Sequence, residues 1–205
     1  MRTPGERLAA ILRGQVADER VLAAVSEVPR DRFVPEELRP EAWENIPLPI
    51  GAGQTISQPL VVARMCELLE LRGDERVLDV GTGSGYHAAL LARLSSWVWS
   101  LELHAELSRQ AAANLAAAGI ENVTLLVGDG CRGLPEEAPF DAINVAAAAA
   151  TGVPTALEEQ LAPGGRLVAP VEDDEQRLVV ERRIGDVIER RTLERVRFVP
   201  LVRGR

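Results

Sequence analysis

Apolar residues recur along the chain at two different spacings, and the change from one to the other divides it. In "PGERLAAILRG" and "DERVLAAVSEV" they fall three and four apart, which predicts two short helices within residues 4–27. Gly14 is suited to stop the first and Asp18 to cap the second. "VPRDRFVPEELRPEAW" is punctuated by prolines and predicts loops with a helical turn. "PLPIGAGQTISQ" predicts a loop or a very short hairpin. Pro59 then suits the first turn of a helix, "PLVVARMCELLEL", with apolar positions at Val62, Met65, Cys66, Leu68 and Leu69. After Gly73 the pattern alternates. "RVLDV", "WVWSLEL", "VTLLVG", "FDAINVAAA" and "GGRLVAPV" predict strands, while "YHAALLARL", "AELSRQAAANLAAAG" and "PTALEEQL" predict helices. Such alternation implies an α/β fold, a mostly parallel twisted sheet with helices on both faces. Two β-rich runs about "GD" close the chain and predict an antiparallel C-terminal hairpin at the sheet edge.

Composition changes this picture little. The 205 residues, 46% apolar, suffice for a single domain with a sizeable core. A net charge of −8 disfavours a general nucleic-acid partner, because phosphate contacts need a positive face. No apolar run approaches the ~20 residues of a membrane span, and the N-terminus lacks the apolar centre of a secretory signal. The expectation is a cytoplasmic protein with no membrane partner. Two cysteines and two histidines, without ligand spacing, give no support for a metal site. Cys66 reads as a small buried hydrophobe and Cys131 as packing. His87 and His104 read as surface or helix residues.

One loop carries chemistry. "LDVGTGSGY" sets Asp79, Gly81, Gly83 and Gly85 directly after a strand and before a helix. Glycines there allow a tight turn and a close backbone approach to a ligand. The spacing is G-x-G-x-G after an acidic residue, not the G-x-G-x-x-G of dinucleotide-binding folds. It resembles motif I of S-adenosylmethionine-dependent methyltransferases. That resemblance implies a Rossmann-like methyltransferase fold with S-adenosylmethionine as cofactor. The segment Gly81, Thr82, Gly83, Ser84 and Gly85 would then cradle its aminocarboxylate end. Glu102 ends the next strand, where a carboxylate can take the ribose hydroxyls. Asp129, followed by Gly130, ends the third, where it can meet the adenine edge. All lie at carboxyl ends of adjacent strands, where open α/β sheets bind ligands.

The flanking segments narrow the resemblance. "VPRDRFVP", "PLPIGAGQTISQP", "VLDVGTGSGYHAALLA", "NVTLLVGDG", "APFDAINVAAA", "LAPGGRLVAPV" and "VRFVPLV" occur in that order. Together they resemble the protein-L-isoaspartate O-methyltransferases, from about Val21 to Val202. The resemblance implies methyl transfer to the carboxylate of isoaspartyl residues, with isoaspartyl-containing proteins and peptides as partners. Three stretches are expected within one domain: a substrate-side extension (1–58), a cofactor-binding core (59–170) and a β-rich end (171–205). A monomer is expected. By resemblance Ser57 is the active-site serine, orienting the substrate carboxylate. Its alternative role is to cap the helix after Pro59. Thr55 and Ile56 would line the same channel, and Gln54 and Gln58 would hold the loop's shape. Val199, Pro200 and Leu201 would lie near the substrate cleft, with a plain edge strand as the alternative. The chain departs from the family pattern at Trp43-Glu44-Asn45, where a tyrosine and an aspartate are usual. It also has Ala146 where a threonine is common, and the aliphatic Leu60, Val61 and Val62 after "SQP". The other reading is a methyltransferase of this fold with a different carboxylate or small-molecule acceptor. A nicotinamide oxidoreductase is disfavoured by the glycine spacing and by the lack of a hydride-transfer set.

Overall fold

The computed structural model describes residues 1–204. Helix α1 (Pro4–Leu12) opens with a reciprocal cap: Glu6 N–H donates to Thr3 Oγ1 at 3.1 Å, and Thr3 N–H donates to Glu6 Oε2 at 2.6 Å. Helix α2 (Glu19–Glu27) packs on it and is capped by Asp18, whose carboxylate accepts from Arg20 N–H at 2.8 Å. The proline-punctuated stretch holds two 3₁₀ turns, Arg30–Phe33 and Glu36–Glu41. Strands β1 (Leu48–Gly51) and β2 (Gln54–Ile56) form a separate antiparallel hairpin, and α3 (Pro59–Leu68) follows.

Alternation then sets in: β3 (Arg76–Val80), α4 (Tyr86–Leu94), β4 (Trp97–Glu102), α5 (Ala105–Ala117), β5 (Val123–Val127), β6 (Phe140–Val145), α6 (Thr155–Glu159), β7 (Leu161–Glu172), β8 (Gln176–Ile184) and β9 (Val187–Arg195). The sheet order is β5-β4-β3-β6-β7-β8-β9. Pairings from β5 to β7 are parallel; β8 and β9 add antiparallel strands, as the closing hairpin predicts. The order reverses between β3 and β6, which makes the carboxyl ends of those strands the expected ligand crevice.

Successive residues of a strand face opposite sides, and both sides of this sheet are buried. Val77 and Ala142 join an apolar cluster with α1 to α4, while Leu78, Val80 and Ile143 join a second one with Phe140 and Leu157. Helix α4 is covered by α2, α3 and α5 as well as by the sheet. His87, expected at the surface or simply on a helix, is therefore buried, only 6% exposed.

Two other expectations change. β7 starts at Leu161, ahead of the Gly-Gly turn, because Leu161 pairs with Phe140 across a register shift. The segment "VRFVPLV" is not an edge strand. It crosses back from β9 onto the loop after β6, where Ala148 N–H donates to Val199 O at 2.8 Å and Leu201 N–H to Ala148 O at 2.7 Å.

Candidate active site

The glycine loop is set by the register beneath it. Asp79 stands opposite Ser100 on β4 and Asn144 on β6, so the three side chains share one row. Asp79 accepts from Ser100 Oγ and from Asn144 Nδ2, both at 2.7 Å, and Ser100 Oγ lies 2.6 Å from Thr82 Oγ1. Asp79 is 0% exposed. The structure thus sets Asp79 under the loop and not in the cleft, and Thr82 is buried with it. Burial is the largest influence on the Asp79 carboxyl and raises it to about 6; the bonds from Ser100 and Asn144 oppose this and Glu102 adds to it. Asn144 Nδ2 also meets His87 Nδ1 at 3.2 Å, and burial pushes His87 down to about 3. Ser84 is buried too; its hydroxyl accepts from Tyr86 N–H at 3.4 Å. Gly85 starts α4 at φ +88°, and a side chain there would crowd Ala111 and Leu115.

Above this row lies a cleft of about 610 Å³. Gly81 and Gly83 lie at its base, beside Leu101, Glu102 and Gly130. Val199, Pro200 and Leu201 line it as well. Glu102 is 6% exposed, and each of its oxygens accepts one backbone bond, from Gly83 N–H at 2.8 Å and from His104 N–H at 3.0 Å. Among the lining residues Glu102 carries the one fixed charge, and no arginine is present. Asp129 does not itself line the cleft; it precedes the lining residue Gly130, accepts from Cys131 N–H at 2.9 Å and caps a short turn. Gly130 is required beside it, since any side chain there would overlap Val80.

A second cavity, of about 850 Å³, lies on the other side of Thr55. It is lined by Ser57, Gln58 and Val61 from the start of α3 and by residues 195–199 of the tail. Thr55, Ala146 and Val199 line both cavities and form the seam between them. Ile56 points away, buried in the core.

Ser57 is held from behind. Its carbonyl accepts from Arg30 Nη2 at 3.0 Å, and the same guanidinium bonds the carbonyls of Ala42 at 2.5 Å and Ile46 at 3.2 Å. Ser57 does not cap α3. The capping position is Gln58, whose side chain makes no capping bond. Asn45 does that work from outside the helix, accepting from Leu60 N–H at 3.0 Å, and its carbonyl accepts from Gln58 Nε2 at 3.0 Å. Gln58 thus shapes the loop as expected. Arg30, Ala146 and His104 were given no site role by the sequence. The signals were present for two of them, Arg30 in "VPRDRFVP" and Ala146 as a departure from the family pattern. Neither cysteine is activated: burial raises both thiols, and Asp129 adds to the effect at Cys131.

Comparison with known proteins gives the family and the fold. The sequence pattern of the family described as protein-L-isoaspartate(D-aspartate) O-methyltransferase matches residues 6–205. A protein-L-isoaspartate O-methyltransferase of Halorhodospira halophila is 54% identical over 204 residues, covering 98% of this chain and 92% of the relative. One from Methanothrix thermoacetophila is 51% identical over 200 residues, covering 96% and 94%. A solved protein-L-isoaspartate O-methyltransferase superposes with a TM-score of 0.85 at 29% identity; the match covers 98% of this chain and 65% of that one. A solved chain from Plasmodium falciparum, named for the same activity and in complex with S-adenosyl-L-homocysteine, gives 0.83 at 28% identity and covers 97% and 98%.

Proposed function

The chain belongs to the protein-L-isoaspartate(D-aspartate) O-methyltransferase family, and from that premise we propose that a methyl group crosses the Thr55–Ala146–Val199 seam to an isoaspartyl carboxylate positioned by Ser57. The activity is S-adenosylmethionine-dependent carboxyl O-methylation of isoaspartyl residues in damaged proteins and peptides. The observation that carries the assignment of roles is the seam itself: two cavities, one with the glycine loop and Glu102, one with Ser57, meet at three residues.

S-adenosylmethionine fits the first cleft by the chemistry of its lining. A single carboxylate, Glu102, beside a glycine loop suits a sulfonium cation and a ribose. When bound, the cofactor supplies a methyl carbon made electrophilic by a positive sulfur. Gly81 and Gly83 present backbone beside its aminocarboxylate end. Each Glu102 oxygen holds one N–H and keeps a lone pair for a ribose hydroxyl. Asp129 and Gly130 border the adenine edge. Asp79, Thr82 and Ser84 serve this site from below, as the frame of the loop.

On the acceptor side no base is needed, because a carboxylate with a reference pKa near 4 is already ionised at neutral pH. The protein's task is to exclude water and align oxygen with methyl carbon. The Ser57 hydroxyl is a neutral donor that orients the carboxylate without tying up its charge, as a bidentate arginine would. Thr55 and Val199 wall the passage, with Pro200 and Leu201 behind it, and Ile56 anchors the strand from the core. Residues 1–58 and 171–205 form the walls of the acceptor groove around the core 59–170. The enzyme acts as a monomer in the cytoplasm, without nucleic acid or membrane; the net charge of −8 supports the exclusion of a general nucleic-acid partner.

The test uses labelled S-adenosylmethionine and paired peptides that differ only in isoaspartate versus aspartate. A base-labile methyl ester is expected on the isoaspartyl peptide alone. Its absence there overturns the assignment.

A further inference from the structure

The acceptor groove carries a charge that its place at the seam does not require. Among the residues lining the cavity beside Ser57, the charged ones are Arg195 and Arg197. The groove continues past Gln58 and Val61 into a further cavity of about 960 Å³, where Arg64 and Glu194 pair at 3.2 Å and offset one another. Arg195 is partly engaged, with its Nε 2.5 Å from Glu175, a carboxylate shared with Arg177. Arg197 is exposed and has no ion pair among the described residues.

This contrasts with the rest of the molecule. The chain is acidic overall, yet residues 176–205 hold nine arginines against four acidic side chains. All 23 basic residues of the chain are arginines, whose planar forks match carboxylates with two parallel bonds. Of these arginines Arg195 and Arg197 line the groove, and on an otherwise acidic body they favour anionic segments there. Because both guanidinia are exposed, they sit at the rim, where they can meet residues beside the isoaspartate and leave the reacting oxygen to Ser57.

We propose that Arg197, assisted by Arg195, selects isoaspartyl sites with acidic neighbours, so that acid-rich damaged segments are the preferred substrates. This rests on reading the Ser57 cavity as the acceptor groove. The contribution belongs to binding, so it falls on KM and not on kcat.

The experiment compares three isoaspartyl hexapeptides that carry glutamate, glutamine or lysine on both sides of the isoaspartate. The glutamate peptide is expected to have the lowest KM. The spread should be about threefold to tenfold against the lysine peptide, the size given by one or two exposed ion pairs. It should shrink toward parity at about 1 M salt, where the screening length is about 3 Å. Arg197→Lys should keep the order of the peptides, Arg197→Gln should compress it, and Arg197→Glu should invert it. Equal KM values for the three peptides, or an order untouched by Arg197→Glu, overturn the inference and leave the activity standing. Failure to methylate any of the three overturns the reading of the groove beneath it.

Discussion

Ser57 has its carbonyl fixed by Arg30 and its hydroxyl bonded to nothing among the described residues, which leaves the hydroxyl free to meet a substrate. Ser57→Ala should therefore lower kcat about tenfold to a hundredfold, while the Kd for S-adenosylmethionine, measured calorimetrically, stays within about twofold. Equal losses in both would make Ser57 part of the cofactor site instead. Asp79 and His87 make a prediction about stability. Asp79 is raised to about 6 from an ordinary 3.8, so its contribution is present below about pH 4 and lost as pH rises through 6. His87 is lowered to about 3 from 6.5, so its contribution is present above about pH 6.5 and lost as pH falls toward 3. Between about pH 4 and 6 the two slopes oppose one another, each near 1.4 kcal/mol per pH unit. Asp79→Asn removes one of them. Relative to the parent, the variant should lose about 2–3 kcal/mol from pH 6 to 4, by denaturant titration. A constant gap between the two proteins would refute the opposition. The sequence made Asp79 visible but not its position. The motif groups it with the glycines that touch the ligand, whereas the pairing of β3 with β4 and β6 turns its carboxylate into the row beneath them.

At the level of elements, the segment leading into the β1–β2 hairpin and Ser57, between β2 and α3, are joined by one buried cation. Arg30 is 0% exposed, bonds three carbonyls, and stacks over Tyr86 at 5.4 Å from the ring centre. Burial lowers its pKa to about 10, so it remains charged. An ammonium cannot span those acceptors as the guanidinium fork does. Arg30→Lys should cost roughly 2–4 kcal/mol, seen as a lower melting temperature, and should reduce kcat/KM through the loosened Ser57 segment. Unchanged kinetics would separate this scaffold from the site. The alternation of strand and helix was readable because period two and period 3.6 are local signals. The hairpin was readable from its turn residues. The roles of Arg30 and Asn45 were not, because their partners lie 12 to 27 and 13 to 15 positions away and are set by folding. The tail kept two readings, cleft wall or edge strand, for the same reason: Val199 and Leu201 have strand-like composition, but their partner is Ala148, in a loop.

Taken as a whole, the molecule separates its tasks by cavity. On the proposed reading, the cofactor would lie over the switch point of the sheet and the acceptor would come in between α3 and the tail. The free carboxylate of an isoaspartyl residue is attached directly to its Cα, with no flexible stalk. To reach the seam, the substrate's own backbone must descend into the cavity beside Ser57. A damaged residue packed inside another protein cannot do that until its segment has come loose. The rate of methylation is then a reading of how firmly the client holds its lesion. Each ~1.4 kcal/mol of local opening free energy in the client should slow marking about tenfold. One isoaspartyl segment, placed in host proteins of graded local stability, would check this against hydrogen-exchange protection. Rates indifferent to protection would contradict it. With Ser57 inside that groove, marking would fall on lesions whose host segment has already begun to unfold.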